Sequence, residues 1–416
     1  MTLTLVSHSP CPPALFGALA ACVAQAEDAL LMHLPADYAD GRGADSVQMV
    51  AAEGALVASG LVWYERITGR EILPASNVET VIDTARQHAV VLPWDPTLQS
   101  ESLRETLLAQ AHAAGLSVRH LTVLSQNGAW HVEDHDGIPT THGRWRQDTF
   151  GRWIDHESTP HDAGARTLCI ALLGSEADQR DVYPATLAAL GDAADAAHID
   201  LDIRFIAPTQ LDVSQLDLVD GIVLPGGSDM GNVPGQIRAA RHALASGIPV
   251  VGLCLGMQSM TTALAQTIAG LEQANMAEAA PDAEIKSFVP MAGIPGLEAH
   301  RLGERPLQFR DAAQESRFQH HLTIRCNHRF TLNPALIPPL VKAGLVITAT
   351  DVSGQIADAI NWPAHPFYQG MQGHPELGSK TGAPHPLIKD FLLAALASAN
   401  AGASASDDHL TIACNT

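Results

Sequence analysis

An apolar, β-branched run, Ile248-Pro-Val-Val, feeds directly into Gly252-Leu-Cys-Leu-Gly256, after which Met257, Met260, Thr261, Leu264 and Ile268 recur at helical spacing. The pattern predicts a strand, a tight turn and a helix, with Cys254 at the turn. Short apolar runs at Leu168–Leu173, Leu201–Ile206 and Gly221–Leu224 precede it, and a helical pattern spans Tyr183–Ala197. Strands alternating with helices at this spacing predict an α/β unit with a parallel sheet, helices on both faces and a site at the carboxyl ends of the strands. Gly226-Gly227 and Cys254 both fall at such ends and are expected to be neighbours. Later segments turn β-rich, at Thr323–Arg325, Val346–Asp351 and Ile356–Asn361, and a last helix is expected over Pro386–Ala397.

The chain before residue 167 reads as a smaller α/β domain. Strands are predicted at Leu3–Val6, Ala29–Leu34 and Ala89–Leu92, and helices at Ala14–Ala26, Val78–His88 and Leu98–Ala114. Ser117–Glu133 reads as a hairpin turning at Asn127-Gly128, the dipeptide a type I′ turn favours. From His135 to Arg166 periodicity fades and Gly, Pro, Thr, His and Asp accumulate around Trp145 and Trp153, which reads as a linker. The expected division is residues 1–97, a helix-hairpin and linker segment 98–166, a principal domain 167–397, and a low-complexity, disordered tail 398–416.

Composition narrows the function classes. With 45 acidic against 24 Lys and Arg residues, the formal charge of -21 repels phosphate backbones and anionic lipid, so neither a nucleic-acid nor a membrane partner is expected. Six cysteines, at positions 11, 22, 169, 254, 326 and 414, form no CxxC pair, and no HExxH spacing occurs among the 20 histidines. No metal or cofactor is implied, and His320, His321 and His328 read as surface or substrate-side groups. The absence of a signal-peptide pattern at the start leads to the expectation of a cytoplasmic protein.

The chemistry then gathers around Cys254. A thiol at a helix N-terminus sits in a field that favours thiolate, the nucleophilic form. A nucleophile needs a proton-transfer partner with an orienting group, and His374-Pro375-Glu376 offers both. On an extended segment residues 374 and 376 would share one face, with Pro375 stiffening the backbone.

Gly-Leu-Cys254-Leu-Gly-Met-Gln258, Leu-Pro-Gly226-Gly227 and Gly-His374-Pro-Glu376, in that domain context, resemble the class I (triad) glutamine amidotransferases, in particular the glutaminase domain of CTP synthase. The likeness covers roughly residues 167–397 and includes Asp181-Val-Tyr183, the segment Glu272–Glu278, Arg301-Leu-Gly303 and His328-Arg329-Phe330. It implies a cysteine nucleophile at Cys254, a general acid/base at His374 and an orienting carboxylate at Glu376. It further implies an oxyanion hole from the N–H groups of Gly227 and Leu255, and substrate contacts from Gln258, Glu278 and Arg329. L-glutamine or a γ-glutamyl amide is the implied substrate, and an ammonia-accepting synthetase the implied partner. No G-x-x-x-x-G-K-[ST] loop precedes residue 167, so CTP formation by this chain alone is not expected. The family's basic run before Arg329 is thinned, and Ser228-Asp-Met230 follows the Gly pair, which argues against nucleotide activation of the family's kind. A stand-alone γ-glutamyl hydrolase and a non-enzymatic assembly module are the alternatives.

A second likeness concerns residues 1–95. Leu5-Val-Ser-His-Ser-Pro10, Ala18-Leu-Ala-Ala-Cys22, Asp28-Ala-Leu-Leu31 and Val91-Leu-Pro-Trp94 resemble the small sulfur-relay subunit of the DsrH/TusB type. It implies a sulfur-relay-like partner and a reactive Cys22; a packed helix cysteine is the alternative.

Overall fold

The computed structural model describes residues 2–9, 12–38, 47, 49–158 and 166–413, with side chains described as far as residue 401. Cys11 and Cys414 lie outside the described residues. The chain divides into two compact units, residues 1–161 with 177–188, and residues 162–176 with 189–416. The Asp181-Val-Tyr183 motif thus falls within the first unit.

In the first unit a seven-stranded sheet is ordered by strands 30–31, 90–94, 2–7, 117–126, 129–133, 145–147 and 153–155. The first four run parallel and the rest antiparallel. Leu3, Leu5, Val90 and Leu92 pack with Val81, Ile82, Leu107 and Ala111 in one apolar cluster. Helices Val78–Ala85 and Glu101–Ala113, which carry those last four residues, are capped by Asn77, which accepts from Thr80 N–H at 2.8 Å, and Ser100, which accepts from Leu103 N–H at 3.3 Å. The hairpin turns where expected, with Asn127 and Gly128 both at positive φ, 52° and 74°. The stretch read as a linker is different: Trp145–Gln147 and Trp153–Asp155 extend the sheet, and the Trp153 ring packs edge-on against Trp130 at 5.8 Å. Three-residue strands carry too few alternations for periodicity to reveal them.

The second unit is built on an eight-stranded sheet. The strands of the unit are β1 (Thr167–Leu172), β2 (Asp200–Phe205), β3 (Gly221–Leu224), β4 (Val250–Leu253), β5 (Phe288–Pro290), β6 (Arg301–Pro306), β7 (Gln308–Phe309), β8 (Thr323–His328), β9 (Phe330–Leu332), β10 (Val346–Thr350), β11 (Ala357–Asn361) and β12 (Tyr368–Met371). The main sheet is ordered β2-β1-β3-β4-β12-β11-β10-β7, parallel from β2 to β12 and antiparallel beyond. β5 pairs with β9 and β6 with β8 as separate two-stranded ribbons.

The central strands are buried on both faces, as their unbroken apolar sequences require. Ile222, Leu224 and Val250 join a core with Ile237, Met257 and Met260, whereas Val223, Val251 and Leu253 join another with Leu387 and Phe391. The first core is covered by helices α1 (Val233–Ser246) and α2 (Leu255–Ala265), the second by α3 (Pro386–Ala413). Helix α1 has no counterpart in the sequence reading, because Pro234-Gly235 reads as a breaker. Both residues sit in its first turn, where a missing N–H costs nothing, and a Cβ on Gly235 would come within 2.0 Å of the Pro208 carbonyl oxygen. Helix α3 also corrects an expectation: its backbone continues to Ala413, past Ala397, through alanine-rich sequence of high helix propensity.

Candidate active site

Strand β4 ends at Leu253, and Cys254 turns the chain into α2 with φ 49° and ψ -108°, a conformation rarely adopted by a non-glycine residue. Two close approaches explain why the residues on either side are small. A Cβ on Gly252 would stand 2.5 Å from Met260 Sδ, and one on Gly256 only 1.9 Å from the Leu224 carbonyl oxygen. Helix α2 can therefore press against β3 and β4 only with glycine at both positions. The Cys254 N–H donates to the Met371 carbonyl at 2.8 Å, tying the turn to the end of β12.

Strand β12 lies beside β4 with Leu253 opposite Met371, so the chain leaving β12 passes the thiol. His374 follows three residues later. Its N–H donates to the Arg325 carbonyl of β8 at 2.8 Å, and its Nδ1 meets Glu376 Oε1 at 2.8 Å. The sequence expectation of an extended His-Pro-Glu segment is corrected: His374 precedes a 3₁₀ turn over Pro375–Gly378, which curls Glu376 back onto the imidazole. Proline, at the first position of that turn, supplies the fixed φ and lacks only a donor the turn does not use.

With Nδ1 committed to Glu376, Nε2 is the ring nitrogen left for Cys254. Burial by itself would lower the His374 pKa. The Glu376 carboxylate and the Cys254 thiol, both interacting with the ring, outweigh it and hold the imidazole well above its ordinary range. Cys254, His374 and Glu376 are 7%, 6% and 5% exposed, so this charge pattern is shielded from solvent. A Cβ on Gly226 would lie 3.3 Å from His374 Cε1 and 3.4 Å from Cys254 Cβ. Gly226 thus adjoins both groups, a placement the motif alone did not reveal. Nothing stands within 4 Å of a Cβ position on Gly227, which faces open space.

The remaining predicted residues are placed in two groups. Gln258 is buried one helical turn beyond the thiol, its N–H donating to the Cys254 carbonyl at 3.1 Å and its Oε1 without a partner in the protein. Leu255 is the first residue of α2. Glu278 and Arg329 are exposed and belong to segments hung on the β5/β9 ribbon. Ala277 N–H donates to Phe288 O at 3.1 Å, and Met291 N–H donates to the Arg329 carbonyl at 2.8 Å. Glu376 Oε2 and both amide atoms of the fully buried Gln372 also lack partners in the protein. Unspent polar capacity of this kind is costly and concentrates at functional sites.

Behind the His374 loop, ribbon β6/β8 packs a polar cluster that includes His328, expected at the surface or on the substrate side. His328 is buried rather than on the surface; the inward alternation Ile324, Cys326, His328 along β8 is the signal that identifies it. Directly opposite, Arg301 makes a buried two-pronged ion pair with Asp358 of β11, with Nη2 to Oδ2 at 2.9 Å. Cys326, His328 and Asp358 bring their donor atoms within 4.8 Å of one another, but both Asp358 oxygens are engaged by Arg301. Burial, reinforced by the Arg301 cation, lowers the His328 pKa to about 3, and burial with His321 and Arg317 nearby lowers that of His385 well below its usual value.

Both imidazoles therefore stay neutral in the fold while the unfolded chain takes up protons below about pH 6.5. Their stabilising contribution is complete above that pH and is lost as pH falls toward 3. His374, shifted the other way, is protonated in both states below about pH 5.5 and adds only an opposing slope near pH 6.5. His8, His33, His120, His321 and His365 are lowered by burial as well and add to the same slope. Thermal denaturation between pH 6.5 and 4 is expected to show a falling Tm, with His328→Gln reducing the slope by about one proton. An unchanged slope in that variant would refute the assignment.

Comparison with known proteins adds the family. Residues 192–394 match the family model described as class-I glutamine amidotransferase. Curated relatives include the CTP synthase of Frankia casuarinae, 32% identical over 270 residues, covering 61% of this chain and 43% of that protein. That of Thermobifida fusca is 33% identical over 270 residues, covering 61% and 49%. The chain spans about half the length of the curated relatives it matches. Among solved structures, the glutaminase domain of Trypanosoma brucei CTPS with bound acivicin matches with a TM-score of 0.51 at 27% identity, over 55% of this chain and 94% of that domain. Among the described residues no helix is long and apolar enough to cross a membrane. Residues 192–394 thus match the class-I glutamine amidotransferase family model and are similar to the glutaminase domain of CTP synthase.

Proposed function

We propose that this protein hydrolyses the side-chain amide of L-glutamine through a Cys254 thioester and delivers the ammonia to a separate synthetase. The observation that carries the reading is the strained Cys254 turn beside a buried His374–Glu376 pair, within a domain of the amidotransferase family. In this mechanism the Cys254 thiolate attacks the amide carbon while the N–H groups of Gly227 and Leu255 hold the oxyanion, each worth roughly 3 kcal/mol. The imidazolium of His374 gives its proton to the departing ammonia, and Glu376 keeps the ring oriented. His374 then takes a proton from water, which cleaves the thioester and releases glutamate.

Substrate selection follows from charge. The Glu278 carboxylate suits the α-ammonium of glutamine and the Arg329 guanidinium its α-carboxylate, while Gln258 lies beside the thiol. Residues 1–166 are proposed as a separate module. Within that module Cys22 is buried in helix Ala18–Ala26 and burial pushes its thiol pKa far up, which supports a packing role over a persulfide carrier in this conformation.

Glutamate release from glutamine by the purified full-length chain tests the proposal. Glu376→Gln is expected to lower kcat by roughly 10²- to 10⁴-fold with a smaller effect on KM. A panel of γ-glutamyl amides completes the test: preference for a bulky leaving group over ammonia would replace the amidotransferase reading with that of a γ-glutamyl hydrolase.

A further inference from the structure

Helices α1 and α2 share a buried polar contact in which none of the triad residues takes part. Ser259, fully buried in the second turn of α2, donates its hydroxyl to Gln236 Oε1 of α1 at 2.8 Å. Gln236, 2% exposed, in turn donates from Nε2 to the Pro225 carbonyl at 3.1 Å. The direction of this chain is fixed because a carbonyl can only accept: Nε2 must face Pro225, which leaves Oε1 for the hydroxyl. Ser259 also departs from its neighbours in α2. Thr261 and Thr262 return their hydroxyls to the Met257 and Gln258 carbonyls of their own helix, whereas Ser259 reaches across to α1.

Pro225 opens the Pro225-Gly226-Gly227 segment that leads from β3 past the thiol. The ladder to β4 ends at Leu224, and glycine at 226 and 227 leaves both peptide planes free to turn. A fixed orientation therefore has to come from outside the segment. Among the described residues no other side chain hydrogen-bonds its main chain.

We infer that Gln236 is a positioning residue for the proposed oxyanion hole. By holding the Pro225 carbonyl it sets the peptide planes of Gly226 and Gly227 against the Cys254 turn, and Ser259 tethers the other end of its amide. Ser259 belongs to the helix that begins at Cys254, so two hydrogen bonds in series tie the sulfur-bearing turn to the segment that carries the Gly227 N–H. An oxyanion donor acts only when aimed at the position the charge will occupy, so a turned plane weakens the transition state and leaves ground-state binding by Gln258, Glu278 and Arg329 in place. The catalytic consequence rests on the glutaminase reading; the anchoring of the glycine segment does not.

Two substitutions in the full-length chain test the assignment. Gln236→Met keeps an unbranched side chain and removes the donor; it is expected to lower kcat for glutamine hydrolysis by roughly tenfold, with KM changed by less than about twofold. Ser259→Ala leaves the amide held at one end only and should lower kcat by roughly threefold. Because the two residues act in series, the double variant is expected to be no slower than Gln236→Met. In the chain carrying isotope-labelled glycine, and without substrate, the amide resonances of Gly226 and Gly227 should move in both single variants. Ser259→Ala carries both measurements where Gln236→Met does not fold. Unmoved glycine resonances, an unchanged kcat, a loss expressed in KM alone or multiplied losses in the double variant would overturn the assignment. A wild-type chain that releases no glutamate while the glycine resonances still move would instead overturn the glutaminase reading and leave the anchor standing.

Discussion

Cys254→Ala is expected to reduce glutamate release from glutamine by roughly 10⁴-fold or more, while leaving the fold intact. The change removes the sulfur that forms the thioester in the proposed mechanism, and the hydrogen-bonding groups that remain can do no more than polarise the amide. It does not relieve the backbone, because alanine meets the same steric objection at φ 49° that cysteine does. Cys254→Gly separates the two effects. It is equally unable to form the thioester, yet it removes the Cβ that makes the conformation costly, and its Tm is expected to exceed that of the alanine variant by the equivalent of about 1 kcal/mol. Wild-type turnover by Cys254→Ala would sink the nucleophile assignment. A Cys254→Gly variant no more stable than Cys254→Ala would show that the turn is not strained.

Gly256→Ala is expected to be the most damaging single-methyl change in the second unit. The added carbon would sit 1.9 Å from the Leu224 carbonyl oxygen, a backbone atom fixed in the ladder between β3 and β4, so the collision cannot be escaped by a rotamer change. Helix α2 would have to lift from the sheet, at a cost of roughly 3 kcal/mol or more. Urea denaturation should show the loss as a lowered midpoint, accompanied by loss of turnover because the same helix begins at Cys254, the proposed nucleophile. Gly227→Ala is the control, since nothing lies within 4 Å of the position its Cβ would take. It should unfold near the wild-type midpoint, and equal midpoints for Gly256→Ala and Gly227→Ala would disprove the packing argument.

Much of this site is legible in sequence because the chemistry and the backbone leave the same marks. Gly252 and Gly256 flank the thiol and are both required by contact with neighbouring atoms, so the strand-turn-helix reading and the geometry coincide. The pairing of His374 with Glu376 is also readable, although the conformation that produces it is a 3₁₀ turn rather than an extended segment. Proline permits either; in the fold Gly373 packs tightly on Ile324 and the Arg325 carbonyl, to which the His374 N–H also donates. Helix α1 is hidden by Pro234-Gly235, two breakers that become ordinary in a first helical turn. The Arg301–Asp358 ion pair joins strands far apart in sequence and leaves no local trace, so its partner could not be found from spacing. His328 illustrates an intermediate case, with a two-residue alternation that marks it as inward-facing even though its residue type suggests the surface.

The adjacency of β4 and β12 has a consequence for how the protein is made. Cys254 is supplied by one strand end and His374 by the next, but the second is synthesised long after the first, and every main-sheet strand between them in sequence lies on the far side of β12. A growing chain therefore carries the thiol without its base until the last strand has emerged and been inserted between β4 and β11. Closing so long a loop is among the slower steps available to a fold of this kind. On the proposed assignment of Cys254 as nucleophile and His374 as its base, turnover thus reports completed synthesis: a truncated or half-folded chain holds the thiol apart from the imidazole, and the finished sheet brings the two together.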